Sequence, residues 1–580
     1  MGTRIHLALA ILVLAFAALN MVALATLYAE TSNRMTVFAA RYVAGDGDDE
    51  WSKGAVLAVE NGVPCLYVVG NEWRRLMIAK LCLDGVKWVT TLGDPDKGDL
   101  GDWPEFRDVY LTPLYVLAVG YTDKAVGGRD VVVAAFDRFL GKPVWVKVFG
   151  DPNAEDRGYG IVADALYVYV VGYTKGMGAD GRDLFVARLE LASGKLLELI
   201  RVDGLGDKDS EYGVDVALHH DKLFVVGMTN VGGDYDILML EFDTNPLTGL
   251  KLIAAYTYGT GKVYEIAAYS NFKNSGGAVA IDGDVAYVLG QMKDPKAGKT
   301  STIVIALDLR NYRVLWSLRI RNATDISVEF YPDQIAVGRD RIYVVGHGWY
   351  WPGLWKEGGF VAVIGKDGVV EDLVLVVDRE LEVGVGAHAV ATYSDGMREY
   401  AYVVLDYPLK DVSRIAFLSK LNQVAVEPYR AELKPFNASM SNVSVEVRDL
   451  VTKVAHPTYT EPVNGKSNLL LAELSLPLPL ERTITVSSVK TSTVTKTVLR
   501  TTTTTRTATV EKTVVSTVAK TFVTTEKITK TVSTTLVRLT PTTVTTKVTE
   551  RVTEWTTAIG LGIVLLILGF VGGFFAARRR

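Results

Sequence analysis

Three groups of residues in this 580-residue chain are of types that could do chemistry. The first is acidic. Asp94, Asp96, Asp99 and Asp102 lie on one short stretch, and acidic loops recur at 46–50, 151–156 and 203–209. Several carboxylates on one loop suit a hard cation, and Ca2+ takes oxygen ligands at about 2.3–2.6 Å. The spacing departs from the D-x-D-x-D-G-x5-E loop. Asp side chains also close turns by accepting backbone N–H groups, so a turn and a metal loop both fit. The second group is aromatic. HGWYWPGLWKEG carries Trp349, Tyr350, Trp351 and Trp355. Clustered aromatics among Gly and Pro suit a binding surface, where they would stack on a sugar or fill a partner's pocket. They could equally fold back over their own element. The third group is Cys65 and Cys82. If Val69 pairs with Ile78 across a hairpin, the two sulfurs fall opposite each other, as a disulfide or as two small buried hydrophobes. Among the six histidines, His219 and His220 follow an apolar run and His388 stands alone. None has metal-ligand spacing, and scattered His and Asp do not assemble a triad from sequence.

Whatever positions these residues is a repeat. An apolar run ending in Gly occurs at 66–70, 115–120, 167–172, 223–227, 286–290 and 342–346; a copy at 401–405 has lost its Gly. The period of about 50–60 residues is that of propeller blades. A second run follows each landmark: RLMIAKL, DVVVAAFD, DLFVARLE, DILMLEFD, STIVIALD, GGFVAVIG and RIAFLSK. A third follows a Gly-containing turn, as in GKPVWVKVFG. Such runs, rich in Val, Ile, Tyr and Phe and bounded by Gly and Asp, read as strands. Four strands in each of seven units give an all-β, seven-bladed propeller. TVFAARYV at 36–43 matches the outer strand VWVKVFG, and the last repeat ends near Lys420 without a copy of it. The N-terminal strand is therefore expected to close the seventh blade.

The order FG…D-x-G-Y-G…LYVYVVG-Y-T…G-x-D-x-FVARL…SGK, closest between Pro143 and Asp243, resembles the β-propeller repeat of bacterial and archaeal surface proteins. The resemblance implies a fold and a cell-surface setting, and no reaction. FDRFLGKPVW and LDLRNYRVLW are faintly similar to the repeat of quinoprotein dehydrogenases, but that family has eight blades and this chain shows seven. Sialidase boxes of the form S-x-D-x-G-x-x-W are absent.

The ends supply an address. An apolar run over 7–27 follows Arg4 and His6, so residues 1–30 read as a signal peptide or N-terminal anchor. Residues 558–577 are apolar and long enough to span a bilayer, and Arg578, Arg579 and Arg580 follow. Basic residues stay on the cytoplasmic side, which puts everything before them outside the cell. Sequons at Asn322, Asn437 and Asn442 suit that exposure. Between the propeller, taken as 31–424, and the membrane, residues 425–482 read as a small β neck and 483–557 as a Thr-rich stalk. Large apolar residues in 510–555 recur in steps of three and four, which suggests a parallel coiled coil and a homo-oligomer. Only three glutamines occur, a weak thermophile trait.

A net charge of −4 and the lack of a basic patch argue against nucleic acid. The expected function is a non-enzymatic surface propeller for adhesion, envelope scaffolding or binding of an extracellular protein or glycan. No cofactor is implied beyond Ca2+ in the acidic loops. The alternative is a tethered extracellular enzyme, quinoprotein-like or glycan-acting.

Overall fold

The computed structural model describes residues 35–40 and 50–477, apart from short loops that include 205–208, 268–277, 323–328 and 350–356, together with two three-residue strands at 497–499 and 541–543. Within 35–477 the chain is a seven-bladed β-propeller with every strand pairing antiparallel. The blades begin with inner strands Glu50–Glu60, Glu105–Leu111, Asp156–Ala163, Glu211–His219, Glu265–Ala267 with Val279–Asp282, Tyr331–Val337 and Gly386–Ser394. The landmark runs form the second strand of each blade. That strand and the third are buried on both faces, as in Tyr167–Thr174 and Asp183–Glu190. This is why they read as unbroken apolar runs rather than alternating ones.

The landmark glycine has a steric cause. Each described inner strand outside blade five carries a β-bulge at one level, between Ser52/Gly54, Phe106/Asp108, Gly158/Gly160, Gly213/Asp215, Pro332/Gln334 and Ala387/Ala389. The bulge presses a carbonyl onto the facing residue. A Cβ at Gly120 would lie 1.9 Å from the Glu105 carbonyl oxygen, and one at Gly172 would lie 1.9 Å from that of Arg157.

The end of the propeller departs from the sequence reading. Ile415–Ser419, expected as the third strand of blade seven, pairs instead with Val370–Asp378 at the rim of blade six. The chain then runs backwards around the ring. Val424–Pro428, Glu432–Pro435, Ala438–Asn442, Val447–Asp449 and Val454–Ala455 each add a fifth strand to blades five, four, three, two and one in turn. Residues 424–455 are therefore a belt on the propeller rather than a separate neck, and the propeller extends to Pro477. The belt strands Glu432–Pro435, Ala438–Asn442 and Val447–Asp449 are short and largely exposed. They cover sheet edges that would otherwise offer unpaired backbone groups to a neighbouring chain. Apolar residues such as Tyr429, Leu433, Phe436, Val447 and Leu450 anchor them against the blades.

Having circled the ring, the chain enters blade seven as its third strand, Asn468–Pro477, paired with Arg398–Tyr407. Met35–Ala40 pairs with the other side of it and forms the outermost strand. Closure by the N-terminal strand is thus observed, but it depends on a partner from the far end of the chain.

Cys65 lies opposite Cys82, with Val69 opposite Ile78, and the sulfurs form a disulfide. The bond closes a loop with a sequence separation of 17. Loss of the constraint in a Cys65→Ser, Cys82→Ser variant is expected to cost about 2–4 kcal/mol. Denaturant unfolding of the variant and of the oxidised protein measures it. Asn437 and Asn442 are exposed on the belt, and Asn322 ends the outer strand of blade five. The signal segment, the membrane span and almost all of the stalk lie outside the described residues.

Candidate functional site

The seven inner strands line an axial cavity of about 430 Å³. Most of its wall is Ala, Val, Leu and Ile. The carboxylates in that wall are Asp108 and Asp215. Asp108 accepts the backbone N–H of Val109 at 2.8 Å with one oxygen and that of Ile161, in the next blade, at 2.9 Å with the other. Asp215 does the same for Val216 at 2.7 Å and Val279 at 2.8 Å. Gln334 repeats the device with Val390 at 2.9 Å. Each is the residue just after the bulge, where the inner strand has left its neighbour's N–H without a ladder partner. Burial, and then the nearby Asp215 charge, hold the Asp108 carboxyl well above the usual carboxylate range.

The bulged residues themselves are Lys53, Arg107, Tyr159, Val214, Asp333 and His388. Those of blades six, seven, one, two and three belong to a buried polar arc. His347 Nδ1 lies 2.7 Å and His388 Nδ1 2.9 Å from the same oxygen of Asp333. A carboxylate only accepts, so both rings present Nδ1–H to it. His388 Nε2 lies 3.5 Å from Asp406, and Asp406 accepts the Ser52 hydroxyl at 3.0 Å. Lys53, next in sequence, lies 3.5 Å from Glu105. Glu105 also pairs with Arg107 and takes the Tyr121 hydroxyl, and the Arg107 guanidinium sits 5.5 Å from the Tyr159 ring centroid.

Every ionisable member of this arc is under 9 % exposed. The electrostatics follow from burial set against partners. Burial raises the Asp333 carboxyl, but the two imidazoles outweigh it and hold it down at about 2. Burial likewise raises Glu105, and Arg107 with Lys53 bring it below its ordinary value. Burial dominates at Lys53 and lowers its ammonium. Gly386 makes room for the arc, since a Cβ there would lie 2.0 Å from His388 Nε2.

Sequence reading missed this arc. His347 and His388 stand in different blades, and only the common bulge level brings them to one carboxylate. Part of the signal was present: Lys53, Arg107, Asp333 and His388 occupy the same bulge slot of their inner strands.

The residues singled out from sequence fare differently. Asp94, Asp96, Asp99 and Asp102 do not converge on one point. Asp99 accepts the Asp94 N–H at 2.8 Å and the Thr452 hydroxyl of the belt at 2.5 Å. Asp102 pairs with Arg74 at 2.8 Å, and Asp94 with Lys97 at 3.3 Å. Turn closure, belt attachment and ion pairs engage Asp94, Asp99 and Asp102. Trp349 ends a strand opposite Glu357; its side chain, and Tyr350, Trp351 and Trp355, lie outside the described residues. His219 and His220 both approach Asp284, at 3.1 and 3.4 Å, on the opposite side of the ring from the arc.

No family model matches this chain, and no curated protein matches it. Among solved structures it is similar to quinohemoprotein alcohol dehydrogenase ADHIIG from Pseudomonas putida HK5, with 11% identity and a TM-score of 0.36 over 64% of this chain and 72% of that one. It is also similar to a subtype N11 neuraminidase-like protein of a flat-faced bat isolate, with 8% identity and a TM-score of 0.31 over 71% of this chain and 95% of that one. At such scores neither likeness informs function, and the chain has to be read from its own residues.

Proposed function

We propose that the protein is a non-enzymatic propeller, tethered to the cell membrane and presented outside it, that binds an extracellular glycan. The observation that supports the binding reading is the use made of the axial carboxylates. Asp108 and Asp215 are spent on backbone N–H groups of adjoining blades, and the acid–base side chains nearby are sealed into the buried arc. A general acid or base has to reach a substrate proton; these groups instead fasten blade to blade. The apolar segments over 7–27 and 558–577, the terminal arginines and the Thr-rich tract support the tethered, external setting.

The binding element is the loop that carries Trp349, Tyr350, Trp351 and Trp355. Aromatic faces stack on sugar rings, and a cluster of them on a rigid blade supplies contact area at small entropic cost. A Trp349→Ala, Trp351→Ala variant of the full-length protein should bind isolated cell envelopes at least tenfold more weakly, with its melting temperature unchanged. Binding equal to that of the unaltered protein would refute the loop's role. Loss of binding after protease treatment of the envelopes, with no effect of glycosidases, would point to a protein partner instead.

A further inference from the structure

The acidic motif recurs at three successive seams between blades, and at one of them its carboxylates are gathered for a ligand. The residue opening a blade's third strand faces the residue opening the next blade's inner strand: Asp130 with Asp156, Asp183 with Glu211, and Asp236 with Glu265. A threonine stands between acids in the same rung, as in Asp156–Thr174–Asp183 and Glu211–Thr229–Asp236. At two of these seams no further carboxylates gather within metal-binding distance among the described residues, and protein donors reach one acid of each. Asp156 accepts the Asp151 N–H at 2.6 Å. Glu265 accepts the Thr260 hydroxyl at 2.7 Å and the Tyr429 hydroxyl of the belt.

The seam between blades three and four is built otherwise. Three further carboxylates, Asp180, Asp203 and Asp209, join Asp183 and Glu211 there. Oxygens of Asp180, Asp183 and Asp203 lie within 4.8 Å of one another, as do oxygens of Asp203, Asp209 and Glu211. Two oxygens bound to one Ca2+ at about 2.4 Å can be no farther apart than about 4.8 Å. Glu211 is fully buried; one of its oxygens takes the Thr229 hydroxyl at 2.6 Å and the other has no hydrogen-bond partner. Asp183 is also fully buried, with one oxygen 3.0 Å from Arg201 and the other without a donor. Gly204 leaves the space open, since a Cβ there would lie 2.5 Å from Asp209 and 2.8 Å from Glu211. Arg201 pairs with Asp183 and Asp203 of this group, and it is also tied to the Gly178 carbonyl and, at 3.3 Å, to Ser441 of the belt. Burial first, and mutual repulsion after it, push the Asp183 and Glu211 carboxyls up to about 7.

We propose that this seam is a binding site for a divalent cation of the calcium class, centred on Asp203, with Asp180 and Asp183 on one side and Asp209 and Glu211 on the other. Ca2+ fits better than Mg2+, because an irregular set of carboxylates on separate strands meets a flexible coordination more easily than a strict octahedron. Bound there, the ion would join blade three to blade four where donors join the other seams.

The test uses the full-length protein in detergent, stripped with EDTA and titrated with CaCl2. Melting temperature should rise by several degrees. Tb3+ should show emission sensitised by a tyrosine such as Tyr212, beside Glu211, and Ca2+ should quench it by displacement. Asp203→Asn should abolish both responses, while Asp99→Asn, in the loop between blades one and two, should leave them intact. Should Asp203→Asn not fold, Asp180→Asn at the exposed edge of the cluster should weaken Ca2+ at least tenfold. Unaltered protein that ignores Ca2+ and EDTA in both readouts would overturn the site. So would responses equally strong in the Asp203 and Asp180 variants.

Discussion

A chain ending at residue 466 should not form a stable propeller, although it keeps all seven landmark runs. The segment it lacks supplies Leu469, Leu470, Leu471, Ala472, Leu474 and Leu476, all buried. Leu470, Ala472, Leu474 and Leu476 pack with residues of blade six such as Tyr343 and Val345. Leu469 and Leu471 pack with residues of blade one such as Ala55 and Leu66. Each buried leucine contributes about 1.5–3 kcal/mol. Five of them together contribute about 7.5–15 kcal/mol, comparable to the roughly 5–15 kcal/mol by which a domain is stable. The strand also carries the pairing that holds Met35–Ala40, so its loss opens the ring from both sides. The truncated chain should show no cooperative thermal transition and should bind a hydrophobic dye. Leu470→Ala in the full chain should cost about 2–5 kcal/mol by urea unfolding. A truncated protein melting cooperatively near the temperature of the full chain would mean that blade seven closes without this strand.

The second large effect is expected at Asp333. Asp333→Ala removes the buried carboxylate that accepts from both His347 Nδ1 and His388 Nδ1. Breaking a buried pair from one side costs about 3–5 kcal/mol. Acid should mimic the change. The Asp333 carboxyl is held at about 2 when folded, against an ordinary value of 3.8. A depressed carboxylate contributes stability above its unfolded value, so the contribution is complete above about pH 4 and disappears as pH falls towards 2. Glu105, also depressed, acts in the same direction. Urea midpoints of the unaltered protein should therefore fall between pH 4 and pH 2. The Asp333→Ala variant should start lower and fall less across that window. Parallel curves for the two proteins would show that Asp333 does not carry this acid sensitivity.

Much of this architecture could be read from residues. The landmark runs, their period and the Cys65–Cys82 register depend on local patterns, and the blades reproduce them. The belt was not legible, for a physical reason. Its strands are two to five residues long and half exposed, so they carry neither alternation nor an apolar run, and their partners lie up to hundreds of residues away. NLLLAELSL falls within 425–482, the segment that reads as a neck. Its LLLA run marks a strand buried on both faces, which a rim segment is not. The same distance problem hid the polar arc. Asp94–Asp102 is rich in acids close in sequence, whereas the seam cluster draws on Asp180, Asp183, Asp203, Asp209 and Glu211 from three separate segments. Density of acids along a chain reports turns; density across a seam depends on the register of two blades.

The belt also works as a tally. Its six strands begin at 415, 424, 432, 438, 447 and 454, so each step of six to nine residues advances the chain by one blade. Propellers built from like repeats can in principle gain or lose a unit by duplication. Here an extra blade without an extra step would leave one rim bare and put the final strand one blade short of its slot. Blade number is thereby written twice in the sequence, once in the repeats and once, in reverse order, in the strap that encloses them. The two records have to change together.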